Sequence, residues 1–161
     1  MCLVRVTVLA TSLILVTAPA LAQAPQVEKN VSMALSMAIM QGVLDQCTKD
    51  GYKVSVVIID KGGNVAASVR GDGTPPHTMD FARMKAYTAR TRNQTSLATM
   101  KQMEDPAFGF LRQIPNVVGV GGGVPIRVGN EVIGGVGVSG SPGVDDDCVN
   151  ASLEKVKDQL Q

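Results

Sequence analysis

The residues best suited to chemistry cluster around one histidine. His77 is the only imidazole among 161 residues, displayed after the rigid run Gly73-Thr74-Pro75-Pro76 at the start of a helical segment. A neutral imidazole nitrogen is a common metal ligand, and the same position also suits a surface or helix-capping histidine. A single histidine excludes a multi-histidine metal centre. Downstream, Arg83 and Arg90 stand two turns apart on that helix with Lys85 between them. They form a candidate face for an anionic ligand, because a guanidinium pairs bidentately with a carboxylate; a charge run is otherwise a solvated face. Met33, Met37 and Met40 recur at helical spacing on an earlier segment. Core packing is the simpler reading of such a stripe, and a pocket wall or soft-metal ligand set is the functional one.

Other constellations point away from familiar chemistry. No G-x-S-x-G nucleophile elbow is present, so a Ser-His-Asp set would have to be built on His77 without its usual strand-turn-helix frame. Gly135-x-Gly137-x-x-Gly140 matches the dinucleotide fingerprint in letters, but its glycines sit inside a strand and Pro142 follows. The phosphate-binding mechanism needs a tight turn feeding a helix N-terminus directly. Glycines inside a strand more often mark a bulge or a close backbone approach. Asp145-Asp146-Asp147 lacks the alternating spacing of a calcium loop and reads as the acidic first turn of a helix. No catalytic residue set is identifiable.

Composition narrows the classes further. Arg5 is the only charge before the apolar stretch Val6 to Val16, and Ala20-Leu21-Ala22 supplies a small-x-small cleavage pattern, so residues 1–22 are expected to be a secretory signal. Residues 23–161 would then form one domain located in the periplasm or secreted. Neither this stretch nor any later one reaches the roughly 20 apolar residues of a membrane span. Setting Arg5 aside from the 15 basic residues leaves 14 against 14 acidic ones. That balance argues against a nucleic-acid binder, which carries a basic excess. Aromatics are 3% of the chain and Trp is absent, so base or sugar stacking platforms are hard to build. Cys47 and Cys148 remain after processing, either as one disulfide joining the first and last helical segments or as two buried thiols.

The elements that must position these residues follow from periodicity. Apolar residues at three- and four-residue steps predict a helix from Glu28 to about Asp50, ended by Gly51. Strands are expected at 53–60 and 65–70 around a Gly62-Gly63 turn. A helix follows at 78–92, small on one face through Ala82, Ala86 and Ala89, then a short helix from Ser96 to about Glu104. A loop is expected over 105–116, strands near 117–120, 124–128 and 131–138, and a last helix over 145–160. The order αββααβββα with hairpin connections indicates an α+β fold, a single antiparallel sheet of about five strands packed with helices.

The run Gly121-Gly122-Gly123-Val124-Pro125-Ile126, the glycine-laced Val132 to Gly140, and Met84-Lys85-Ala86-Tyr87-Thr88-Ala89 together resemble the GlcG/HbpS family, labelled haem-degrading or haem-binding and related to the PduO C-terminal domain. The resemblance covers most of residues 23–161. It implies a profilin-like sheet, assembly into homo-oligomers, and haem as the candidate cofactor. His77 becomes the candidate axial ligand of haem iron, with Arg83, Lys85, Arg90 and Met37 as candidate ligand-contacting residues. It also implies that the strand glycines admit a flat ligand or a neighbouring subunit against the sheet. The expected function is reversible haem binding for sequestration, transfer or sensing. The alternatives are a protein acting on a small carboxylate ligand or an oligomeric partner of a membrane sensor.

Overall fold

The computed structural model describes residues 25–161; the expected signal segment, residues 1–22, lies outside them. The element order is α1 (Met33–Lys49), β1 (Ser55–Asp60), β2 (Val65–Arg70), α2 (Thr78–Arg92), α3 (Ser96–Gln102), a 3-10 helix (Pro106–Gln113), β3 (Gly123–Val128), β4 (Glu131–Ser139) and α4 (Asp145–Lys155), with a short 3-10 turn Lys157–Gln159. Four antiparallel strands form one sheet in the order β2-β1-β4-β3. The fold is therefore α+β with one antiparallel sheet, as expected, but with four strands rather than five.

The missing strand is residues 117–120. This apolar run has the composition of a strand, yet its backbone is spent elsewhere. The Val118 N–H donates to Thr88 Oγ1 on α2 at 2.8 Å, and the Val117 N–H donates to the Ile114 carbonyl. Val117 packs with Met103 and Leu111 in a small satellite core, so the run lies along α2 and α3 instead of extending the sheet. The expected loop 105–116 contains the 3-10 helix, begun by Asp105 accepting from the Ala107 N–H.

Alternation along the strands makes two buried faces. Val56, Ile58, Ile126, Val136 and Val138 point into the main core, which α1 covers with Leu35, Ile39 and Val43 and α4 with Val149. Val57 and Ile59 point the other way and meet Ala82 and Ala86 of α2. Strand β1 is buried on both sides, which is why it reads as a continuous apolar run. Edge strand β2 mixes exposed and half-buried residues.

Helix α1 begins later than its periodicity predicts. Ser32 caps it by accepting from the Leu35 N–H, and the preceding chain is extended, with the Val31 N–H donating to the Ile133 carbonyl. The methionine stripe divides. Met40 is buried, while Met33 and Met37 are 61% and 54% exposed, because the row Leu35, Ile39, Val43 and Cys47 fills the core side.

Cys47 and Cys148 form a disulfide between α1 and α4, with Cα atoms 5.5 Å apart and 101 residues of separation. A cross-link closing a loop of that length restricts the unfolded chain strongly. Replacing both cysteines by serine is expected to cost about 2–5 kcal/mol, read as a lower midpoint in denaturant titration. Oxidised wild type titrated with and without thiol reductant should reproduce the difference.

The strand glycines serve α2. An ideal Cβ at Gly137 would lie 1.9 Å from the Ala82 carbonyl oxygen, at Gly123 2.1 Å from that of Lys85, and at Gly135 2.6 Å from that of Ala86. The expectation that a flat ligand or a neighbouring subunit lies against these glycines is corrected: the backbone of α2 already occupies that space. Close approach of helix and sheet is what the absent side chains permit.

Candidate functional site

A cleft opens beside the N-terminal half of helix α2. Thr78 fixes the start of the helix, donating to the Pro75 carbonyl and sharing a hydrogen bond with Ser55 of β1 at 2.8 Å. His77 occupies the N-cap position but makes no side-chain capping bond. Its exposed ring instead stands edge-on to Phe81 one turn along, with centroids 6.3 Å apart. His77, Phe81 and Lys85 form the α2 wall of a cleft of about 280 Å³, closed by Ser139 at the end of β4 and by Val120 and Pro142. A second cleft of about 480 Å³ adjoins it. Phe81 and Val120 line both, and Met100, Met103, Val117 and Arg112 line the second. Sharing these two residues, the clefts adjoin as one groove with more apolar than polar lining, His77 in the smaller part and both Arg112 and Glu104 in the larger.

Lys85 sits beneath the smaller cleft, only 2% exposed. It falls on the Ala82-Ala86-Ala89 face of α2 and would be an uncompensated buried charge without a partner. Its Nζ donates to Asp145 Oδ2 at 2.6 Å and to the Val138 carbonyl at 2.9 Å. Asp145 opens α4, where the helix dipole favours a carboxylate, and its Oδ1 accepts from the Ser141 N–H and hydroxyl. This pair clamps α2 to the start of α4 across the end of the sheet. Gly122, at φ +107°, lies against it, and a Cβ there would meet Asp145 Cβ at 2.6 Å. The acidic run is thus a helix start, as expected, but its first member is also the partner of Lys85. The sequence did carry a signal for this: a lysine on the small-residue face of a helix needs a buried acid.

The other expected contact residues lie apart from this cleft. Arg83 donates to Asn116 Oδ1 at 3.0 Å, whereas Arg90 donates from Nε to the Lys61 carbonyl in the β1–β2 turn. They hold two different turns and do not form the shared anion-binding face expected of them. Met37 projects from α1, on the opposite side of the sheet, so it cannot wall this groove. Among the described residues no cluster of three or more His, Cys, Asp or Glu could hold a metal ion, and no helix is long and apolar enough to cross a membrane.

Asp146 lines a third cleft, of about 300 Å³, with Gly121 and Met100. Burial pushes its carboxyl above the ordinary value, opposed mainly by the Gly122 backbone N–H and the Lys85 charge. One of its oxygens, Oδ1, is buried without a partner among the described residues. A folded-state value raised above the unfolded one stabilises the fold at low pH, and that contribution is lost as pH rises through the raised value. Asp146→Asn is therefore expected to raise the melting temperature slightly at neutral pH. The advantage should vanish below the ordinary aspartate value of 3.8, measured by thermal unfolding across pH.

Comparison with known proteins places this architecture. Protein GlcG of Escherichia coli is 28% identical over 109 residues, covering 68% of this chain and 81% of GlcG. A crystal structure of a double mutant of Streptomyces reticuli HbpS superposes with a TM-score of 0.79 at 26% identity, covering 87% of this chain and 97% of that one. The crystal structure of a PduOC:heme complex shares the fold, with a TM-score of 0.71 at 22% identity over 78% of this chain and 94% of that one. The family model described as haem degrading protein HbpS-like matches residues 31–154, and this chain belongs to that family.

Proposed function

We propose that the protein binds haem reversibly in the groove that runs from His77 past Phe81 and Val120 to Arg112, for sequestration, transfer or sensing. One observation carries the reading: the chain's single imidazole is left free of capping in the smaller of two adjoining clefts with more apolar than polar lining. The residues fit a flat, largely apolar macrocycle with acidic edges. Phe81, Val120, Met100 and Met103 offer apolar contact, His77 offers a nitrogen ligand, and Arg112 offers a partner for a carboxylate. Bound there, haem supplies an iron centre with exchangeable ligands. The haem in the related PduOC complex and the family's own description support the same class of ligand. Export, followed by homo-oligomer assembly, belongs to this reading.

The test is a haemin titration of residues 23–161 followed by optical spectroscopy, beside His77→Ala. The wild type should give a saturable one-to-one Soret change. The variant should bind about tenfold or more weakly, or with a shifted band, a tenfold loss being about 1.4 kcal/mol. A saturable change untouched by the substitution moves the ligand elsewhere, and no saturable change removes haem from the reading.

A further inference from the structure

We infer that Lys85 is a seat for one carboxylate group of a ligand in the smaller cleft. An ammonium has three N–H donors, and two are committed, to Asp145 Oδ2 and to the Val138 carbonyl. Lys85 lines the cleft, and its Nζ stands over the Phe81 ring, 5.9 Å from the centroid. Asp145 lines the same cleft and stays charged, its Oδ1 accepting twice from Ser141, so an incoming carboxylate shares the ammonium with Asp145 Oδ2. The ammonium is held in place before any ligand arrives, so little side-chain entropy is lost on binding. A charge-assisted bond formed in so secluded a place is also stronger than one at the surface. Ser139 and His77 line the same cleft and can complete the recognition of an oxyanion. At about 280 Å³, the cleft lies just below the usual ~300–1,000 Å³ of small-molecule pockets. It therefore suits a small acid, or the acidic edge of a larger molecule whose body occupies the adjoining groove.

One chemistry thus has two sources, a free small carboxylic acid or a propionate of the haem proposed above, and only the second rests on that proposal. Because Lys85→Met alone would strand the Asp145 carboxylate, the informative variant is the double substitution Lys85→Met with Asp145→Asn, checked for folding by circular dichroism. In the first arm, without haem, acetate and benzoate are titrated against wild type and variant by chemical-shift mapping and thermal shift. Saturable perturbation around Phe81 and Ser139 in the wild type, lost in the variant, supports a free acid. In the second arm, haemin and its dimethyl ester are compared. A preference of about tenfold for the free acid form, abolished in the variant, supports a propionate. Should neither acid saturate, and should the wild type fail to prefer haemin over its ester, the seat at Lys85 is overturned. Haem bound without ester discrimination overturns the seat in that arm while leaving the haem reading intact.

Discussion

Gly137→Ala is expected to cost about 3 kcal/mol, the upper end of the usual overpacking penalty and a large share of the roughly 5–15 kcal/mol that stabilises a domain. The reason is geometric. The new methyl would lie 1.9 Å from the Ala82 carbonyl oxygen and 2.6 Å from the Ala86 nitrogen. Both are backbone atoms of α2, which no rotamer change can move aside. Either the helix lifts from the sheet or β4 is pushed out of register with β1, where Gly137 faces Val57. Thermal unfolding should show a fall of about 10 °C or more. The control is Gly109→Ala, where the added methyl would have nothing within 4 Å and a change within about 0.5 kcal/mol is expected. Because α2 carries Phe81 and Lys85 and is preceded by His77 at its N-cap, any folded Gly137→Ala protein should also lose the haem affinity proposed for the groove. A variant that unfolds like the wild type would mean that α2 does not pack on the β4 glycines as described.

The second large effect is expected from breaking the Lys85–Asp145 pair. Each partner is buried, with side chains 2% and 8% exposed, so removing one strands the other. Lys85→Met or Asp145→Asn alone should cost about 3–5 kcal/mol, whereas replacing both together leaves no unpaired charge and should cost much less than the sum. A double-mutant cycle in denaturant measures this non-additivity directly. If the single losses simply add, the pair is not coupled and the clamp between α2 and α4 is lost as an explanation. The two predictions probe different contacts of one helix: Gly137 tests how close α2 lies to the sheet, and Lys85 tests what fixes its N-terminal half.

These two contacts also show how far the sequence can be read. The small face of α2, through Ala82, Ala86 and Ala89, and the glycines of β4 are each visible as patterns. Their complementarity is not, because it depends on the register that sets Gly135 and Gly137 opposite Ile59 and Val57. Hairpins and helices with local signals are legible, including the β1–β2 turn at Gly62-Gly63 and the acidic start of α4. Residues 117–120 read as a strand because composition cannot reveal that Thr88, some thirty residues earlier, takes the Val118 N–H. The methionine stripe has the right period but the wrong phase, since Leu35 and Ile39 compete for the core side of the same helix. In the groove, His77 and Lys85 are legible as types, while Phe81, Val120 and Arg112 escape a reading of the sequence because only the tertiary fold makes them neighbours. Arg83 and Arg90 share a helix but not a destination: each hydrogen-bonds a different turn.

The bridge between α1 and α4 bears on how this protein should be handled at the bench. Cys47 Sγ lies 3.6 Å from Ser141 Oγ, and that hydroxyl donates to Asp145 Oδ1 at 2.5 Å, on the carboxylate that holds Lys85. A relay of three contacts therefore connects a cross-link on one side of the sheet to the lining of a cleft on the other. Oxidised and reduced protein are two different samples for a binding assay, and because both cysteines are buried a thiol reductant reaches the bond only when the fold opens. Affinities compared between such preparations would mix the chemistry of the groove with the state of a bond that never touches the ligand.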